Sequence, residues 1–79
     1  MENTKENIGK VLVELKSAIK PHLERKDLVT DGILDSLDIM RLITELENNF
    51  EIEIDPEDII SDNFESVDAI SALIQKCRG

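Results

Sequence analysis

Residues 35–50 of the chain read DSLDIMRLITELENNF, and their apolar spacing is that of an amphipathic helix. Asp35 is a good N-cap residue, so the sequence predicts a helix that begins there and runs to Phe50. Leu37 points roughly 150° away from the apolar face, beside polar side chains. At about 100° of rotation per residue, five side chains share the face that the helix should bury: Ile39, Leu42, Ile43, Leu46 and Phe50.

A second amphipathic helix is predicted before this stretch. Asn3, with Glu6 three residues later, can cap its start. Pro21 is expected to end or kink the helix, because proline lacks an amide N–H and disfavours a helical residue before it. The charged segment that follows, residues 24–34, is predicted to be a loop. The apolar stripe of this helix comprises Ile8, Val11, Leu12, Leu15, Ile19 and Leu23.

After Phe50 the sequence predicts a loop, a short helix and a final helix. Residues 51–54 alternate polar and apolar, but four residues without a partner strand do not make a sheet. Residues 55–58, DPED, have the acidic N-cap and early proline of a helix start, and residues 61–63 are expected to end that helix within two turns. The last helix should start near Ser66, with residues 78–79 at its end. Its apolar face comprises Val67, Ile70, Leu73, Ile74 and Cys77.

Each predicted helix has a single apolar face, and such faces can be buried only against one another. The sequence therefore predicts an all-α fold, a small four-helix bundle with three longer helices and one short third helix. A chain of 79 residues has room for one compact domain, so residues 1–79 are expected to form a single unit.

The composition is strongly acidic, with 18 acidic and 9 basic side chains and a net charge of −9. Because polyanions are bound through clustered cations, this balance argues against nucleic acid and anionic membranes as partners, and it favours basic proteins. Like-charge repulsion favours a monomer. The single cysteine excludes an internal disulfide and fits a reducing cytoplasm, and no apolar run suits a signal peptide or membrane insertion.

The acidic residues are concentrated in residues 27–68, which hold 14 acids and one base, Arg41. This layout would steer a basic partner toward the second and third helices. The alternative interpretation is a solvated surface that keeps the chain soluble.

Ser36 is the candidate for chemistry, because it lies in the first turn of the second helix. A hydroxyl there is exposed, and the free amides of a helix start can receive a phosphate oxygen. The alternative is that Ser36 only helps to cap the helix. Asp35 is already a competent cap, which weakens that alternative.

A family resemblance follows from these residues. Residues 35–38, DSLD, lead into an amphipathic helix that ends LENNF at residue 50, then into EIEI and a short helix started by proline. This order resembles the acyl carrier proteins over nearly the whole chain, in length, helix order and acidity. The resemblance implies that Ser36 bears covalent 4′-phosphopantetheine, whose thiol carries acyl or aminoacyl groups as thioesters in fatty acid or specialised biosynthesis. It also implies that the chain is not itself an enzyme.

The resemblance implies partners as well: a phosphopantetheinyl transferase, and acyl- or aminoacyl-ligases, synthases or transferases with basic docking surfaces. Asp35 and Asp38 would meet basic residues of the transferase and help to place its magnesium, and Leu37 would enter a shallow apolar pocket. The acidic surface extends through Glu45 and Glu47. The residues expected to face partners are Asp35, Leu37, Asp38, Arg41, Glu45 and Glu47.

Two departures from the fatty-acid-synthesis type leave the cargo open. Ile33 stands where that type commonly has glycine, and the glycine comes one step earlier, at Gly32. Arg41 occupies a helix face that is usually acidic, and a reversed charge there would discriminate between partners. The string GILDS, residues 32–36, is similar to D-alanyl carriers. The alternative function is an acidic helical module that binds a basic protein without a cofactor.

The remaining candidates for chemistry have structural interpretations. His22 is predicted to be a surface or boundary residue, and Cys77 a half-buried apolar one. Residues 55–63 are acidic but lack the alternating ligands and central glycine of a calcium loop, so no metal site is predicted. An acyl chain could enter between the second and third helices, but the residues there are interpreted as ordinary core: Leu46, Ile54, Ile59 and Ile60.

Overall fold

The computed structural model of the chain describes residues 3–78, and Gly79, expected at the end of the last helix, lies outside them. The described residues form no strand, and the predicted all-α fold is confirmed. The three longer elements are α-helices: α1 (Thr4–Leu15), α2 (Ser36–Phe50) and α3 (Val67–Arg78). The shorter elements are 3₁₀ helices: Ser17–His22, Pro56–Asp58 and Ser61–Phe64.

Helix α1 starts as predicted, with the Asn3 side chain accepting a hydrogen bond from the amide of Glu6 at 3.1 Å. The prediction that it continues to Pro21 is wrong. Lys16 is extended (φ −153°, ψ 94°), and the chain resumes as a 3₁₀ helix that contains Pro21. Ile19 is nevertheless fully buried, so the apolar spacing still brings this segment to the core although the α-helix has ended.

Helix α2 follows its prediction closely. Asp35 is the N-cap, and Glu51, in a left-handed conformation (φ 54°, ψ 50°), ends the helix after Phe50. Four of the five expected residues of the inner face are buried, and Ile39 is partly buried. Leu37 is 60% exposed, as the helical geometry predicts.

The segment between α2 and α3 differs from its prediction. Asp55 caps a short helix as expected, accepting a hydrogen bond from the amide of Glu57 at 3.0 Å, but that helix is a single 3₁₀ turn. The chain leaves it at Ile59, and residues 61–63, which were predicted to end it, lie in a second 3₁₀ turn, Ser61–Phe64. Phe64 is fully buried and anchors this second turn in the core.

The long loop before α2 is held to the core at several points. Leu28 and Leu34 are buried, and the Leu28 amide donates to the carbonyl of Glu65 at 2.9 Å. The Glu65 carboxylate accepts hydrogen bonds from the amides of Val29 (2.8 Å) and Thr30 (2.9 Å) and from the Thr30 hydroxyl. The loop therefore arrives at Asp35 in a defined position, and this fixes where α2 begins.

Candidate functional site

Ser36 is the first residue of α2 and is exposed. Its hydroxyl forms no hydrogen bond with any residue in the described part of the chain. The capping is done by its neighbours: the Asp35 carboxylate accepts from the amide of Asp38 at 2.8 Å, and the Asp38 carboxylate accepts from the amide of Asp35 at 3.2 Å. The structure thus gives no support to the alternative in which Ser36 is a cap.

The backbone beside the hydroxyl also has free donors. Because the capping box and the first helical hydrogen bond use the amides of Asp38 and Ile39, the amides of Ser36 and Leu37 have no acceptor among the described residues. They lie at the positive end of the α2 dipole, where an anionic oxygen is stabilised. An exposed hydroxyl with two free amides next to it suits a phosphodiester attached at Ser36.

Lys16 ties this helix start to the end of α1. Its ammonium donates to the carbonyl of Ile33 at 2.8 Å and to the Asp38 carboxylate at 3.0 Å. Burial raises the pKa of Asp38, but the hydrogen bonds from Lys16 and Asp35 outweigh it and hold that pKa below its usual value. The Asp38 carboxylate is therefore charged at neutral pH and bound within the protein.

Gly32 closes the turn that delivers the chain to α2. It has φ of +75°, a conformation that L side chains rarely adopt, and its amide donates to the carbonyl of Val29 at 3.0 Å. Two residues later, the amide of Leu34 donates to the carbonyl of Leu28 at 2.8 Å. The placement of glycine at 32 rather than 33 thus matches a turn that this loop requires.

The other residues predicted to face partners fall into two groups. Asp35, Leu37, Arg41 and Glu45 are exposed. Asp38 and Glu47 are bound internally, since Glu47 accepts a hydrogen bond from the amide of Ile54 at 3.0 Å. The structure places these six residues on or beside one exposed side of α2, and their contact with a partner stays a prediction.

Sequence reasoning missed two residues near the start of α2. Met40 is 65% exposed. The helical rotation that predicts the exposure of Leu37 also places Met40 about 100° from the buried direction, so the exposure of Met40 could have been predicted from the sequence. Lys16 had no such signal, because its partners lie 17 and 22 residues away in sequence.

The interpretation of residues 59–60 as core is wrong. Ile59 and Ile60 are both exposed, whereas Leu46 and Ile54 are buried as expected.

A surface groove with an apolar floor lies elsewhere, among residues of α1, the segment after it and the start of α3, and includes Gly9, Val13, Leu23 and Val67. Within residues 3–78, no helix is long and apolar enough to cross a membrane, and no cluster of three or more ionisable side chains is arranged to hold a metal ion.

Comparison with known proteins identifies the family. Residues 26–74, more than half of the chain, match the family model for the phosphopantetheine attachment site. The chain belongs to the phosphopantetheine attachment family. It is 32% identical over 77 residues to an acyl carrier protein of Buchnera aphidicola, covering 96% of each chain. It is also 36% identical over 50 residues to a D-alanyl carrier protein of Lactococcus lactis, covering 63% of each.

Membership of this family confirms the carrier prediction. The chain is a carrier with covalently attached 4′-phosphopantetheine and is not itself an enzyme. When attached, the cofactor supplies the thiol that holds cargo as a thioester. The comparisons therefore favour the carrier over the acidic interaction module without a cofactor.

Proposed function

We propose that Ser36 bears the 4′-phosphopantetheine and that residues 1–79 act as one carrier domain. The observation that carries this proposal is the Ser36 hydroxyl, which is exposed at the start of α2 and makes no hydrogen bond within the described residues. The matched family segment, residues 26–74, includes it.

The attachment reaction needs little from the carrier itself. The Ser36 oxygen forms a bond to the phosphorus next to pantetheine in coenzyme A, and adenosine 3′,5′-bisphosphate leaves with the electrons of the broken P–O bond. The hydroxyl proton passes to a base of the phosphopantetheinyl transferase. The amides of Ser36 and Leu37 would stabilise the product phosphodiester, and the exposed carboxylate of Asp35 would meet cations of the transferase.

We further propose that the cargo is an acyl or aminoacyl group passed between ligases, synthases or transferases. The relatives carry both kinds of name, an acyl carrier and a D-alanyl carrier. The net charge of −9 favours a monomer that docks on proteins rather than on nucleic acid, and the single cysteine is compatible with the cytoplasm.

The test is intact-protein mass spectrometry after incubation with coenzyme A, magnesium and a broad-specificity phosphopantetheinyl transferase. The wild-type protein is expected to gain one phosphopantetheine, mapped to Ser36, and Ser36→Ala is expected to gain none. Ser61→Ala is the matched control, because Ser61 is also exposed at the first position of a helical turn. A Ser36→Ala protein that still acquired the cofactor would refute the assignment.

A further inference from the structure

Lys16 contacts the chain on both sides of the attachment serine. Its ammonium donates to the carbonyl of Ile33, three residues before Ser36, at 2.8 Å and to the carboxylate of Asp38, two residues after it, at 3.0 Å. The same carboxylate oxygen of Asp38, Oδ2, accepts a hydrogen bond from the amide of Asp35 at 3.2 Å. One side chain therefore holds the backbone before and after the exposed hydroxyl and its two free amides.

The backbone of Lys16 is itself fixed to the core. Its amide donates to the carbonyl of Leu12 at 2.9 Å, and its carbonyl accepts from the amide of Ile19 at 2.9 Å. Leu12 and Ile19 are both fully buried. The extended conformation of Lys16 (φ −153°, ψ 94°) separates α1 from the 3₁₀ helix that follows. The position of the core is therefore transmitted to the start of α2 through this side chain as well as through the loop before it.

The transfer to Ser36 depends on where its oxygen lies. In phosphoryl transfer the attacking and leaving oxygens lie roughly in line through the phosphorus, and catalysis comes mainly from positioning and electrostatic stabilisation. A misplacement of about 1 Å can lower a rate about a hundredfold. Because the Ser36 hydroxyl forms no hydrogen bond within the described residues, its oxygen is placed only by the backbone around it. The contacts of Lys16 hold that backbone.

We propose that Lys16 is a positioning residue for the attachment of phosphopantetheine. By binding Ile33 and Asp38, it holds the Ser36 oxygen and the adjacent amides in the arrangement that the transferase uses. This inference rests on the proposed attachment at Ser36. It also gives Asp38 a different role from the one that the resemblance implies. A carboxylate that is only 15% exposed and bound to Lys16 serves the geometry of the carrier rather than the magnesium of the transferase.

The test is the single-turnover rate of modification at pH 7, followed by intact mass, with saturating coenzyme A, magnesium and an excess of a broad-specificity phosphopantetheinyl transferase. The rate at saturating transferase reports the chemical step, and its dependence on transferase concentration gives the affinity. Lys16→Met is expected to lower the saturating rate about tenfold and to leave the affinity within about twofold of the wild type. Lys16→Arg, which keeps the positive charge and the N–H donors, is expected to retain most of the rate.

Lys10→Met is the matched control. It makes the same change in net charge as Lys16→Met, at an exposed residue of α1 that makes no ion pair or hydrogen bond with a described residue. Its saturating rate is expected to stay within about twofold of the wild type. Each variant is first shown by circular dichroism to be folded at the assay temperature, so a lower rate is not caused by unfolded protein.

The division between rate and affinity decides the outcome. An unchanged saturating rate for Lys16→Met would overturn the proposal, as would a loss that Lys10→Met shares or that Lys16→Arg does not recover. A transferase that used the Asp38 carboxylate would bind Lys16→Met more tightly than Lys10→Met, because the substitution releases that carboxylate, and this result would also overturn it. A wild-type protein that is not modified at Ser36 would refute the attachment assignment instead, so the two failures are distinguishable.

Discussion

Replacing Lys16 with methionine tests whether the ammonium of this residue holds the start of α2 in place. Methionine keeps most of the apolar stem of the side chain and removes the two hydrogen bonds, at 2.8 Å to Ile33 and 3.0 Å to Asp38. A hydrogen bond to a charged group contributes about 1.5–3 kcal/mol. The Lys16 side chain is 35% exposed, so solvent screening reduces that value. We expect Lys16→Met to lower the free energy of unfolding by about 1–2 kcal/mol at pH 7.

The effect should depend on pH, because one partner is a carboxylate whose folded pKa lies below its usual value. A group with a depressed pKa contributes stability that is fully present above its unfolded pKa and is lost as the pH falls through its folded pKa. For Asp38 the unfolded value is about 4. The difference in stability between the wild type and Lys16→Met should therefore be full at pH 7 and smaller at pH 3, below the unfolded pKa of Asp38.

The assay is urea unfolding followed by far-ultraviolet circular dichroism at pH 7 and at pH 3. Lys10→Met is the control, because Lys10 is exposed on α1 and makes no ion pair or hydrogen bond with a described residue. Equal losses for the two variants would show that the effect comes from net charge alone. A Lys16→Met difference of the same size at both pH values would show that Asp38 is not the partner that matters.

Two further predictions concern the elements that deliver Ser36. Asp35→Ala removes the capping box with Asp38 and should cost about 1 kcal/mol in urea unfolding, whereas Asp35→Asn, which keeps an acceptor oxygen, should lose clearly less. Equal losses would rule out capping as the cause. Hydrogen bonds from Thr30 hold the pKa of Glu65 below its usual value. The contribution of the Glu65 carboxylate to the free energy of unfolding is therefore lost as the pH falls through its folded pKa. Glu65→Gln should accelerate hydrogen exchange at the amides of Val29 and Thr30 at neutral pH, and unchanged exchange at both would contradict the role given to this carboxylate.

The parts of the fold that sequence predicted well are those decided by neighbours in the chain. The cap at Asp35, the buried face of α2 and the exposure of Leu37 follow from helical geometry and from side chains within four residues. The start of α1 at Asn3 was predicted for the same reason. Local spacing also placed Ser36 at the first turn of a helix, which made it the candidate for chemistry, and the resemblance to the acyl carrier proteins then implied that the cofactor is attached there.

The parts that sequence did not predict depend on contacts between distant residues. Helix α1 ends at Leu15 rather than at Pro21, and Lys16, the next residue, contacts residues 17 and 22 positions later, which periodicity cannot show. The short third helix is interrupted at Ile59, and Phe64 rather than residues 59–60 enters the core. The spacing of apolar residues identified candidates for burial, but the packing of distant segments against one another decided which of these residues were buried.

The same distinction applies to the partner surface. The acidity of residues 27–68 governs steering over distances near the Debye length, about 8–10 Å at physiological salt, and this long-range attraction weakens as salt is added. Contact is decided by the groups that remain unpaired after folding, and folding binds Asp38 and Glu47 internally while leaving Arg41 free of any ion pair with the described residues. Net charge therefore predicts a basic partner at long range, whereas the guanidinium of Arg41, which has no ion pair with the described residues, favours a carboxylate at contact. The test is the rate at which a partner ligase loads the holo protein with cargo: a rate that falls with salt in both the wild type and Arg41→Glu, yet stays lower in the variant at high salt, would separate the two effects.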